Sequence, residues 1–267
     1  MRDPLDVLLE QTWNLVAGRQ ARPEATYRLQ FRREFNFRDA AAVTPYLAEL
    51  GITHVYASPY LKAREGSAHG YDVVDPRRLN PELGSYDDRA AWVQSLRDHG
   101  MGHILDVVSN HMGLGNDNEW WQDVLENGPA SPYAVFFDID WFSPARPELR
   151  GKVLLPVLGA PYGEVLESQQ LRLEFHHGAF ALHYFDHRFP LAPRSYALIL
   201  SHRLDELDKA LPADDPGLLE WHSILTAIRH LPDRLETEPA RIAEGLREKE
   251  IIKRRLSALV ESQPVLR

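Results

Sequence analysis

An α/β fold built on a parallel sheet is predicted, and three features of the chain predict it. Three short apolar runs read as strands: ATYRLQF (25–31), ITHVYAS (52–58) and GHILDVVS (102–109). Between them lie two helical stretches, each opened by a capping residue, and Gly or Pro punctuates every change of pattern. Strands separated by helical crossovers pair in parallel through right-handed βαβ units, with helices covering the sheet.

The elements follow in order. Residues 4–17 carry Leu5, Leu8, Leu9, Trp13 and Val16 at helical spacing, so an amphipathic helix leads the chain, with Gly18 at its end. The strand 25–31 follows. Asn36 is the N-cap of a helix over FRDAAAVTPYLAEL that Gly51 terminates. After the strand 52–58, a loop rich in Gly, Pro and charge runs from Pro59 to Gly84. Ser85, with Asp88 three residues later, opens the helix YDDRAAWVQSLRDHG, and the strand 102–109 follows it. Beyond that strand a loop and a short helix, NHMGLGNDNEWWQDVLENG, lead to a change of character. Residues 133–189 contain alternating segments, VLLPVL (153–158), LRLEF (171–175) and FALHYF (180–185), which predict a β-rich insertion with hairpins. Three helical patterns close the sequence, at about 195–210, 217–230 and 235–262.

The expected organisation is a leading helix (1–18), βα units (19–132), a β-rich insertion (133–194) and a helical segment (195–267). Three βα units match the start of a (β/α)8 barrel interrupted after its third strand. They cannot close a barrel that takes eight strands, so the chain is expected to be the N-terminal portion of such a fold.

Composition narrows the function classes. With 44% hydrophobic and 26% charged residues in 267, the chain suits a soluble globular protein. No apolar run of about 18 residues is available to span a bilayer, and the acidic N-terminus does not read as a secretory signal, so no membrane partner and a cytoplasmic location are expected. A net charge of −9 without a basic tract disfavours nucleic acid. The absence of cysteine removes disulfides and thiolate metal sites. Oligomeric state is not readable from the sequence.

Two constellations carry chemistry. DVVSNHMG, at the end of the third strand, holds Asp106, Asn110 and His111. In a parallel αβ barrel the ligand site lies at the C-terminal strand ends, where a carboxylate such as Asp106 requires a hydrogen-bonded or cationic partner. His111 offers a donor to a sugar hydroxyl without permanent charge. The plainer alternative is a turn-capping Asp106 and an ordinary loop histidine. SAHGYDVVDP (67–76), after the second strand, uses Gly70 to bring Tyr71 toward the same rim. An aromatic ring there can stack on a sugar and favour the charge of an oxocarbenium-like transition state. Asp72 and Asp75 are placed to bond the loop or sugar hydroxyls, and His69 either. The alternative is a polar loop whose Tyr71 packs on a neighbouring helix.

Together these segments resemble the alpha-amylase superfamily at the corresponding strand ends. ATYRLQF, HVYASPYLKAREGSAHGYDVVDPRRLNPELG, WWQDVLENGPASPYAVFFDIDW, GKVLLPVLGAPYGEVLESQQLRLEF and HYFDHRFPLAPRSYA are similar to the maltooligosyltrehalose synthase family within it, over about residues 25–200. The resemblance implies that Tyr71 stacks on the reacting sugar, Asp106 is a structural carboxylate and His111 binds a hydroxyl. Asn110, His69 and Asp72 complete the expected substrate-binding set. Some amylases hold a structural calcium through the equivalent of Asn110, but Asn116, Asp117 and Asn118 lack the spacing of a calcium loop and read as the cap of a helix from Glu119; no metal and no cofactor are expected.

The chemistry so implied is a retaining intramolecular transfer on maltooligosaccharides that converts the reducing-end α-1,4 linkage into an α,α-1,1 bond. It requires that water be excluded while the released glucose turns; Trp120, Trp121 and the β-rich insertion are candidates for that wall, or else simple core packing. The resemblance puts the nucleophile and the acid at the fourth and fifth strands. No carboxylate here follows a later β-type run as Asp106 does, so no catalytic residue is expected in this chain and the isolated chain is expected to be inactive and prone to aggregate. Two other readings stand beside this one: a non-catalytic α-glucan-binding module, and another hydrolase of the superfamily using Asp138 and Asp140 of FFDIDW. In a strand the latter pair would lie side by side at about 7 Å rather than across a bond, which disfavours it.

Overall fold

The computed structural model describes residues 3–19, 23–143 and 145–263, which form two compact units divided between Asp117 and Asn118. The first unit begins with α1 (Pro4–Arg19), which runs past Gly18, the expected end. Its anticipated apolar face stays in solvent: Leu5, Leu8, Leu9, Trp13 and Val16 are 47 to 72% exposed.

A three-stranded parallel sheet forms the centre of this unit. It contains β1 (Thr26–Leu29), β2 (His54–Ala57) and, further along the chain, Gly102–Leu105, with the His54 strand in the middle. Each strand is shorter than its apolar run, because the residues past the last pairing turn away as loops. The register aligns Arg28 with Tyr56 and Tyr56 with Ile104. The crossovers are α2 (Phe37–Glu49) and α3 (Tyr86–Asp98). Both expected caps form as capping boxes, Asn36 with Asp39 and Ser85 with Asp88. Helix α2 ends in a Schellman arrangement: Gly51, at φ +85°, donates to the Ala48 carbonyl and Ile52 to that of Leu47. Alternation divides the sheet into two faces. Leu29, Val55, Ala57 and Leu105 join Phe37 and Leu47 of α2 and Trp92 and Leu96 of α3 in one core. Arg28, Tyr56 and Ile104 occupy the other face.

The segment 59–84, expected as a loop, contains an irregular antiparallel pair: β3 (Leu61–Ala63) and β4 (Val73–Leu79), with register shifts on either side of Lys62. The third parallel strand is therefore β5 (Gly102–Leu105) in chain order. The hairpin folds the intervening turn back and brings the 67–72 segment to the strand ends.

The second unit opens with α4 (Glu119–Asn127), capped by Asn118 as expected, whose side chain accepts from the Trp121 N–H. The described residues of 128–170 contain 3₁₀ turns and the short helix α5 (Tyr162–Glu167), not strands. Two expectations fail here. VLLPVL has no pairing partner and forms no strand, and FFDIDW is irregular, with Asp140 accepting from the Phe142 N–H as a turn residue. Among its described residues the insertion is β-structured only in β6 (Leu171–His176), β7 (Ala179–Tyr184) and β8 (His187–Pro190), a three-stranded antiparallel meander. The first expected C-terminal helix is divided into α6 (Tyr196–Leu200) and α7 (Leu204–Ala210), with Arg203 left-handed at the break. Then come α8 (Pro216–His230) and α9 (Pro239–Ser262). Phe180, Tyr196, Ile224, Leu225, Ile252 and Leu256 form the core of this unit. No helix among the described residues is long and apolar enough to cross a membrane.

Candidate functional site

At the C-terminal end of the parallel sheet, on the face opposite the helices, three polar side chains converge on one carboxylate oxygen. Asp106 follows β5 directly, and its Oδ2 accepts from Arg28 Nη1 at 2.8 Å, from Tyr56 OH at 3.0 Å and from Tyr71 OH at 2.6 Å. A second Arg28 nitrogen, Nη2, donates to Tyr71 OH at 2.7 Å, so the phenol both accepts and donates. The Arg28 guanidinium also lies over the Tyr56 ring, 4.5 Å from its centroid. Asp106 is 14% exposed at its side chain and Arg28 34%, so the ion pair sits at the edge of solvent.

The electrostatics follow from this geometry. The Tyr71 hydroxyl, and after it the Arg28 guanidinium, hold the Asp106 carboxyl below the ordinary carboxylate range. The same bond to Asp106 pushes the Tyr71 phenol up, and Arg28 is likewise held charged by Asp106. Asp106 is an ionised anchor, three donors deep on one oxygen. A group so engaged is neither a proton donor at neutral pH nor a free nucleophile.

Tyr71 reaches this position through its turn. Gly70 has φ +78°, and a Cβ there would lie 2.4 Å from the Pro59 carbonyl oxygen, so only glycine fits. The Ser67 hydroxyl accepts from the Gly70 N–H and donates to Asp72, while His69 Nδ1 accepts from the Tyr71 N–H at 3.0 Å. The His69 ring stacks on that of Tyr71, with centroids 6.0 Å apart. Asp72 thus ties the turn together. Asp75 is buried and pairs with Arg77 at 2.9 Å, which holds its carboxyl low.

A family model for the alpha-amylase catalytic domain matches residues 42–191, more than half of the chain and including Tyr71 and Asp106. The chain belongs to the alpha-amylase family. Within it, a protein of Mycobacterium tuberculosis provisionally named maltooligosyl trehalose synthase is 46% identical over 144 residues, 51% of this chain and 18% of its own length. The solved maltooligosyltrehalose synthase from Arthrobacter ramosus is similar at 42% identity and a TM-score of 0.56, over 64% of this chain and 21% of that one. A cyclomaltodextrinase of Geobacillus thermopakistaniensis is 38% identical over a shorter stretch of 97 residues, 36% of this chain and 16% of its own. The chain spans about one fifth of the length of these relatives.

Against the residues anticipated from sequence, this alpha-amylase-family chain brings Asp106, Tyr71, His69 and Asp72 together. Asn110 and His111 make no hydrogen bond to that cluster. Both are exposed, His111 Nδ1 meets Asn110 Oδ1 at 2.9 Å, and no hydrogen bond of His111 reaches Asp106 or Tyr71. Two members of the network, Arg28 and Tyr56, escaped the sequence reading. The available signal was an arginine at an alternate position of β1, the cation that a strand-end carboxylate demands; strand register was needed to pair it. Among the described residues no group of three or more His, Asp and Glu is close enough to hold a metal ion.

Proposed function

We propose that the chain supplies the reducing-end sugar platform of an intramolecular transglucosylase, one that converts the terminal α-1,4 linkage of a maltooligosaccharide into an α,α-1,1 linkage. The observation that carries the proposal is the Arg28–Asp106–Tyr71 network at the strand ends, which fixes an aromatic ring where a parallel αβ barrel takes its ligand. The likeness to maltooligosyltrehalose synthases over more than half of the chain supports the choice of reaction. In this reading β1, β2 and β5 are the first three strands of a (β/α)8 barrel, and residues 133–194 and 195–267 are elaborations of it.

Each residue then has a role. Tyr71 stacks on the sugar whose anomeric carbon reacts, and its quadrupole favours the positive charge of an oxocarbenium-like transition state. Asp106 and Arg28 act through Tyr71 by fixing its phenol, and Asp72 and His69 hold the turn that carries it. His111 and Asn110, in the loop after β5, bind a sugar hydroxyl. The substrate is neutral, which suits a chain of net charge −9 with no basic tract, and the reaction belongs to the cytoplasm.

The two carboxylates of a retaining transfer are not among these groups. Asp106 is committed to three donors, and Asp138 and Asp140 lie exposed in an irregular segment. The 267-residue chain by itself therefore performs neither transfer nor hydrolysis. The test is a pair of incubations with maltopentaose followed by chromatography of the products. One uses the chain alone; the other uses a chimera in which it replaces the matching segment of the Arthrobacter ramosus enzyme. A trehalosyl-ended product from the chimera and none from the chain is expected. Product from the chain alone would place nucleophile and acid within these residues, and a folded chimera releasing only glucose and shorter maltooligosaccharides would favour a hydrolase.

A further inference from the structure

A cavity lies in the unit formed by residues 118–267. It encloses about 290 Å³ between α4, the turn after it, the 192–195 segment, the α8–α9 connection and α9. Leu231, Ile242 and Leu246 contribute apolar surface, and six charged side chains join neutral residues in the rest of the lining.

Almost every charge in that lining already has a partner. Glu126 is met by Lys249 at 3.3 Å and by Lys253, and Lys249 Nζ also donates to Asn127 Oδ1 at 2.9 Å. Asp233 takes Arg194 at 3.3 Å and the Leu235 N–H. Glu236 accepts from the backbone N–H groups of Thr237 and Glu238. Arg234 is the exception. Its side chain lies across Gly128, where a Cβ would fall 2.6 Å from Nη2, so a positive-φ glycine makes the bed for the guanidinium. No hydrogen bond or ion pair joins it to any other described residue, and its Nε is fully buried without an acceptor. Burial lowers its basicity, outweighing the opposing pull of the neighbouring Asp233 carboxylate.

A buried guanidinium nitrogen without an acceptor is costly, and an anion seated in the cavity would complete it. The planar guanidinium fork of donors matches the oxygens of a carboxylate or a phosphate. The cavity is too large for a bare oxyanion alone, and its apolar surface would face whatever the head carries.

We propose that this cavity binds a small organic anion, with a carboxylate or phosphate head on Arg234 and its body against Leu231, Ile242 and Leu246. The site is separate from the strand-end network and does not depend on the reaction proposed there.

The experiment is calorimetric titration of the chain with hexanoate and, separately, with inorganic phosphate and glycerol phosphate, repeated on Arg234→Gln and Arg234→Lys. At least one organic anion should bind with a dissociation constant near 1 mM, roughly ten times weaker or undetectable in Arg234→Gln and intermediate in Arg234→Lys. Preference for hexanoate identifies a carboxylate head and preference for the phosphate ester a phosphate head; either supports the proposal. Urea unfolding in anion-free buffer guards against a folding defect, because removal of a donor buried without an acceptor should leave the Arg234→Gln midpoint unchanged or raised. A lowered midpoint there would mean that Arg234 is satisfied within the chain, against the proposal. Absence of binding by the parent up to about 20 mM, or equal binding by parent and Arg234→Gln, would overturn it.

Discussion

Replacing Asp106 by Asn probes the strand-end network at its centre. The substitution keeps the shape of the side chain but turns an ionised acceptor into a neutral one facing Arg28, Tyr56 and Tyr71. Bonds to a charged group are worth about 1.5–3 kcal/mol net against about 1 for a neutral pair, so three weakened bonds sum to about 3 kcal/mol. Arg28 is about one-third exposed, and solvent screening brings the expected loss to about 2 kcal/mol at pH 7. The sign of the pH dependence follows from the folded-state value of Asp106, which lies below the ordinary 3.8. The stabilisation is complete above the unfolded pKa and disappears as pH falls through the folded one, where parent and variant carry the same charge. Urea unfolding at pH 7 and at steps below pH 4 measures it, with midpoints compared at constant m. A double-mutant cycle with Tyr71→Phe should show coupling of about 1 kcal/mol at pH 7. Equal stability of parent and Asp106→Asn at pH 7, or a difference that persists unchanged when both are acidified, would refute the reasoning.

Two further outcomes follow from other parts of the fold. His103 is half-buried against Tyr60 and Trp92, and desolvation pulls its pKa from 6.5 to about 4. The unfolded chain binds the proton first, so this position costs stability as pH falls from 6.5 toward 4, up to about 3 kcal/mol; His103→Phe should flatten the pH profile of the urea midpoint over that range, and an unflattened profile would contradict the assignment. Gly178 turns the β6–β7 hairpin at φ +77°, and a Cβ there would lie 1.7 Å from the Lys253 carbonyl oxygen on α9. Gly178→Ala should cost about 3 kcal/mol and lower the melting temperature by roughly 8 °C; a thermal scan matching the parent would show that the hairpin does not bear on α9.

Local signals carried much of the fold, and long-range ones the remainder. Asn36 with Asp39 and Ser85 with Asp88 state their helices within four residues, because a capping box needs nothing beyond them. The parallel strands were legible because burial against α2 and α3 demands apolar runs. VLLPVL was misread for the converse reason: it is apolar, yet no neighbouring segment pairs with it. The β3–β4 pair was hidden by Lys62, Arg77, Arg78 and Pro76, residues that read as loop and sit on a short, irregular ladder. Leu5, Leu8, Leu9, Trp13 and Val16 of α1 have helical spacing, but spacing does not supply a surface to bury them. In the candidate site, Asp106, Gly70 and Tyr71 were visible from their own segments. Arg28 and Tyr56 were not, since their meeting depends on the β1–β2 register, which no local pattern encodes.

The central claim, that Tyr71 acts on developing charge at the reacting sugar, is tested most directly by steady-state kinetics of the Arthrobacter chimera with Tyr71→Ala on maltopentaose. A desolvated cation–π contact is worth about 2 kcal/mol, so kcat should fall roughly thirtyfold while KM changes by less than about threefold. An unchanged kcat with a raised KM would reduce Tyr71 to a ground-state binding contact and contradict the account.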